Sequence, residues 1–139
     1  MAPIIKSVFG GGGGGDGVFG TFRSLSVASS DENTPLTAST GKLTFRMPFA
    51  MTLTAVRASV KTAPTGSTLI VDVNQGGTSV LGTKLSIDAS EKTSTTAASA
   101  ATITTSALAD DAEITIDIDQ IGATVAGTGL KVTLIGTAV

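Results

Sequence analysis

Between Asp110 and Ile121 the chain reads Asp-Asp-Ala-Glu-Ile-Thr-Ile-Asp-Ile-Asp-Gln-Ile, the cleanest alternation of apolar and polar residues in the sequence. Extended backbone sends successive side chains to opposite faces, so this pattern specifies a β-strand with one buried face. Ile114, Ile116 and Ile118 share that face, and Thr115, Asp117 and Asp119 share the other. The three isoleucines are β-branched, which suits a pleated, half-buried surface.

Shorter strand signals surround this segment. Leu43 and Phe45 alternate with Lys42, Thr44 and Arg46, and Pro48 ends the run. From Met51 to Thr62, Val56, Ala58 and Val60 share one parity while Met51 and Leu53 have the other, which predicts a bulge or twist near Thr54. Thr68–Asn74 reads as a strand with Leu69, Val71 and Val73 inward and Ile70 and Asp72 outward. Gln75-Gly76-Gly77-Thr78 then has the glycines of a tight hairpin. Val80-Leu81 and Lys84–Asp88 read as a short strand pair around Gly82, and Leu130, Val132 and Leu134 form the last inward set. The Thr-, Ser- and Ala-rich stretch 91–101 fits either a small-residue strand or a loop. No stretch combines helical periodicity with caps.

An internal echo links two of these strands. Residues 69–80 align without gaps on 114–125, matching Asp72 with Asp117, Gln75 with Gln120, Gly77 with Gly122 and Val80 with Val125. Related strand-and-turn units of this kind are expected where two Greek keys build a jelly roll. About eight closely spaced strands predict an all-β fold: a two-sheet antiparallel β-sandwich, jelly-roll-like, over residues 42–139.

Residues 1–41 read instead as an extended Gly-rich arm and linker. Gly10 to Gly15 are consecutive glycines, and such a run carries the largest ordering entropy of any sequence. Phe9, Phe19 and Phe22 flank it and account for three of the five phenylalanines. Segments of this composition gain order by binding, so Phe9, Gly10, Gly15, Phe19 and Phe22 are the candidate partner-contact residues. Packing of the rings back onto their own domain is the alternative. A phosphate-binding reading of the glycines fails, because no Lys-Ser/Thr follows and no helix is predicted after them. Ser29–Thr40 reads as a polar connecting loop.

Composition excludes most chemistry. The chain has 139 residues, enough for one domain with a modest core, and it contains no cysteine and no histidine. Thiol nucleophiles, disulfides, the commonest general base and the commonest zinc ligands are therefore missing. A net charge of −2 does not suit an electrostatic nucleic-acid binder. The absence of Trp and Tyr counts against base-stacking platforms and aromatic sugar sites. No apolar run approaches the ~20 residues of a membrane span, and the N-terminus lacks the apolar core of a signal peptide. Synthesis in a cytoplasm is the expectation.

The remaining candidates are carboxylates. Asp110, Asp111 and Glu113 sit at a strand entry, and Asp117 and Asp119 project with two-residue spacing toward a position that calcium, an oxygen-seeking ion, tolerates. Solvated strand faces give the same composition, as do carboxylates that keep an edge from pairing with strangers. No cofactor, metal or catalytic residue is expected.

The run Leu43–Val60, then Ala63-Pro-Thr-Gly-Ser, Ile70-Val-Asp-Val-Asn, Asp110–Gly122 and Gly129-Leu-Lys-Val-Thr-Leu, resembles a β-sandwich module common among structural proteins of tailed bacteriophages. The resemblance spans residues 43–136 and leaves out the Gly-rich arm. It implies a non-enzymatic virion structural protein made in the host cytoplasm, foremost a capsid decoration (cement) protein that forms homotrimers. Its implied partners are the major capsid protein or other virion subunits, with no nucleic acid, membrane or small-molecule substrate. A tail or fibre subunit with a receptor- or glycan-binding sandwich is the alternative, and a sugar-binding jelly roll comes from a different class.

Overall fold

Ile114, Ile116 and Ile118 are all buried, as the alternation predicts, on a strand at the centre of one of two stacked sheets. The structure is a computed structural model, and it describes residues 21–139. Its strands are β1 (Thr21–Ala28), β2 (Ser39–Arg46), β3 (Met51–Ser59), β4 (Leu69–Gln75), β5 (Thr78–Ser79) and β6 (Leu81–Thr83). They continue with β7 (Leu85–Ile87), β8 (Thr102–Ile103), β9 (Ala107–Leu108), β10 (Glu113–Gln120) and β11 (Lys131–Ala138).

One sheet has the order β1-β11-β3-β9, and the other has β2-β10-β4-β5 with β7 also pairing β4. Every pairing is antiparallel. The first long strand pairs the last, β2 pairs β10, β3 pairs β9, and β4 pairs β5 and β7. That nesting is one long antiparallel hairpin rolled up, and the β11–β3 and β10–β4 pairings close the roll, giving jelly-roll connectivity. Met51, Leu53, Leu69, Val71, Val73, Val132 and Leu134 join the isoleucines in the shared core between the sheets.

Three readings from sequence hold in detail. The ladder between β11 and β3 sets Ile135 opposite Ala55 and Gly136 opposite Leu53, so Thr54 is the extra residue of a bulge. This switches the parity of the buried residues from Met51 and Leu53 to Val56 and Ala58. Gly76 and Gly77, both with positive φ, form the turn between β4 and β5. The echoed segments lie side by side with Asp72 opposite Asp117, so a local two-fold axis passes through that pair.

Other readings are corrected. Residues 21–28, assigned to the arm and linker, form β1 and pair along their full length with β11, and β2 already begins at Ser39. The sandwich therefore starts well before residue 42. Leu25 and Val27 are the only apolar residues of β1 that turn toward the core, a weak signal beside the glycine run. Val80-Leu81 and Lys84–Asp88 do not pair with each other: β6 pairs β8, and β7 pairs β4. Residues 91–101 form a loop holding a single 3-10 turn, Ser94–Thr96, whose entry is capped by the Thr93 side chain.

Candidate functional site

A sandwich has four sheet edges, and each one exposes unpaired backbone donors and acceptors unless something manages it. Here β9 is two residues long, and β5 and β7 are two and three. The β2 edge is broken by a bulge: Leu43 faces Ile116 and Ser39 faces Ile118, leaving Thr40–Lys42 opposite Asp117. Gly41 adopts φ +65 there, and its N–H donates to Asp117 Oδ1 at 2.7 Å. A side chain with a Cβ resists that left-handed backbone, so the glycine allows the bulge.

The β1 edge differs, with eight residues in unbroken register and no proline or lysine among them. Ser29 N–H donates to Leu130 O at 2.8 Å, so the odd-numbered residues of β1 direct their backbone groups toward β11. By alternation, Phe22, Ser24, Ser26 and Ala28 direct theirs outward. Among the described residues nothing pairs with that side. Phe22 is 77% exposed at the start of the strand, and Leu25 and Val27 are half-buried at its flank. This edge is the candidate site, and its chemistry is strand addition: main-chain hydrogen bonds with side-chain contacts on either face.

Phe22 is thus the one predicted contact residue the structure places, and it lies on a strand rather than on an arm. Phe9, Gly10, Gly15 and Phe19 lie outside the described residues. The signal that identifies the edge from sequence was available in the alternation of Leu25 and Val27 with Ser24 and Ser26.

The acidic residues build a closed network. Asp72, read as outward, is only 4% exposed. Its Oδ1 accepts Val73 N–H at 2.9 Å and the Ser79 hydroxyl at 2.6 Å, and the Lys84 ammonium stands 3.6 Å from its Oδ2. Asp117 accepts from Gly41 N–H and, at 2.9 Å, from the Asn74 amide. The β10–β4 ladder slips at Asp119, whose carboxylate pairs with Lys84. Asp117 and Asp119 thus turn to different partners, and among the described residues no three carboxylates are placed to share a metal ion. Asp110 and Asp111 form a turn in which Asp111 N–H donates to Met47 O at 3.0 Å. Nearer the N-terminus, Asp31 holds the loop between β1 and β2. Its carboxyl lies below the usual range because it accepts the backbone N–H of Thr34 and of Asn33.

The hydrogen bond to Asp119 raises the Lys84 pKa; partial burial opposes this, and the charges of Asp119 and Asp72 add to it. A raised folded-state pKa means that the pairing stabilises fully below the unfolded lysine value of about 10.4 and is lost as pH rises through the folded value. Lys84 is 45% exposed, so solvent weakens the effect. Lys84→Met is expected to cost about 1 kcal/mol at neutral pH, with the gap to wild type closing at alkaline pH. Thermal melts of both proteins between neutral pH and about pH 11 check this.

A groove of about 360 Å³ opens beside β3, where β9 stops short. Val56, Leu85, Ala101 and Ile103 supply apolar lining, and Arg57 and Ser94 supply polar lining. Its β3 wall is bonded at both ends, by Leu53 N–H to Ser106 O and by Ala58 N–H to Ser94 Oγ, so little edge remains open there.

The chain matches no family model, no curated protein and no solved structure.

Proposed function

We propose that the protein is a non-enzymatic structural subunit of a tailed-bacteriophage virion, a capsid decoration protein that docks on the outer capsid surface through its N-terminal segment and through contacts between copies in a homotrimer. One observation carries the reading: the N-terminal segment leads directly into β1, a long sheet edge that nothing among the described residues pairs, beside the exposed Phe22 ring. A module with that edge and no clustered metal ligands among its described residues suits assembly better than catalysis.

The test is removal of residues 1–20, which stops short of β1. The shortened protein is expected to melt cooperatively and to lose binding to virus particles. Retained binding overturns the reading. Phe9→Ala and Phe19→Ala are each expected to weaken attachment by ~3 kcal/mol if the rings are buried in the partner, by analogy with core truncations. A copy number in purified particles that matches the tail rather than the capsid lattice moves the protein to a tail or fibre.

A further inference from the structure

We propose that the outer edge of β1 accepts residues Ile4–Phe9 of a second copy as an added strand. The acceptor is defined by elimination and by geometry. Three of the four sheet edges are too short or bulged to extend, whereas β1 presents the outward N–H and C=O groups of Phe22, Ser24, Ser26 and Ala28 in regular register.

The donor is defined by sequence. Ile4-Ile-Lys-Ser-Val-Phe9 is rich in β-branched and aromatic residues, contains neither glycine nor proline, and is bounded by Pro3 and Gly10. Six extended residues cover roughly 20 Å, which matches the distance from Phe22 to Ala28 at ~3.3 Å per residue. The period of two also selects a face. With Ile5, Ser7 and Phe9 on the core side, Ile5 and Phe9 cover the half-buried flank of Leu25 and Val27. Lys6 then falls on the opposite face from Arg23, so the two positive charges are kept apart.

The tether favours a second copy over the same one. A strand returning to its own β1 needs only a turn of about 2–5 residues. Gly10 to Gly20 is eleven residues, with a reach of roughly 36 Å, enough to cross to a neighbour. Donation from one copy to the next is a head-to-tail contact, which closes into a ring when the rotation allows, as a trimer requires.

The experiment uses the full-length protein alone, without particles, so it stands apart from the virion reading. Light scattering at micromolar concentration is expected to give a multiple of the 13.7 kDa chain mass. Ser24→Pro removes one outward N–H and leaves the bonds to β11 in place, and replacing Lys6 and Ser7 together by proline (K6P/S7P) removes the added strand's N–H that faces β1 whether that strand runs parallel or antiparallel. Either variant is expected to reduce the mass to one chain, with cooperative melting kept. If Ser24→Pro fails to fold, K6P/S7P and competition by a synthetic peptide of residues 2–10 against the wild-type multimer decide the matter. A wild type of single-chain mass overturns the proposal, and so does a multimer that survives K6P/S7P and excess peptide.

Discussion

Ile116→Ala is expected to destabilise the protein by about 3–5 kcal/mol, read as a drop in the urea midpoint at unchanged slope. Ile116 is fully buried and lies in register between Leu43 on β2 and Val73 on β4, at the middle of the inner face. Rigid strands on both sides keep the site from collapsing, so the removed carbons leave a cavity. Asp117→Ala, one residue on, tests the opposite face. It removes the acceptor for Gly41 N–H and for the Asn74 amide, at a cost of about 1–2 kcal/mol. This is more than a solvated carboxylate would cost, because Asp117 closes the β2 bulge. Equal losses in the two variants would contradict the assignment of faces.

Gly136→Ala is expected to be comparably damaging, costing about 3 kcal/mol or preventing folding. A Cβ at Gly136 would lie 2.1 Å from Thr52 O and 2.9 Å from Met51 Cγ. The carbonyl belongs to β3 beside the Thr54 bulge, and it moves only if the β11–β3 ladder opens. Gly76→Ala is the control. Its Cβ meets open space, so only the left-handed backbone of the hairpin is strained, at about 1 kcal/mol. Soluble yield and thermal midpoint of the two variants separate steric exclusion from backbone strain. A well-folded Gly136→Ala protein would show that the bulge adapts.

The open β1 edge gives the assembly proposals a common physical basis. An eight-residue strand whose outward backbone groups have no strand partner among the described residues is a template for pairing, and a chain that keeps one must either cover it or use it. The other edges show what covering looks like: the Gly41 bulge on β2, and the short β5, β7 and β9.

What the sequence determined by itself was local. A period of two is written in β4, β10 and β11, so their buried faces follow from Leu69, Val71 and Val73, from Ile114, Ile116 and Ile118, and from Val132 and Leu134. The parity break before Val56 located the bulge, and the paired glycines located the hairpin, because both are properties of the backbone over a few residues. Only the tertiary structure decided what depends on partners distant in the chain. The burial of Asp72 is set by Ser79 and Lys84, which arrive from beyond the hairpin turn, and no pattern within β4 encodes them. The separate destinations of β6 and β7 depend on which edge each can reach once the roll has closed. For β1, two inward apolar residues make a strand only because β11, more than a hundred residues later, supplies the ladder. Strand pairing is a long-range interaction, and one strand's own residues specify its faces but not its neighbour.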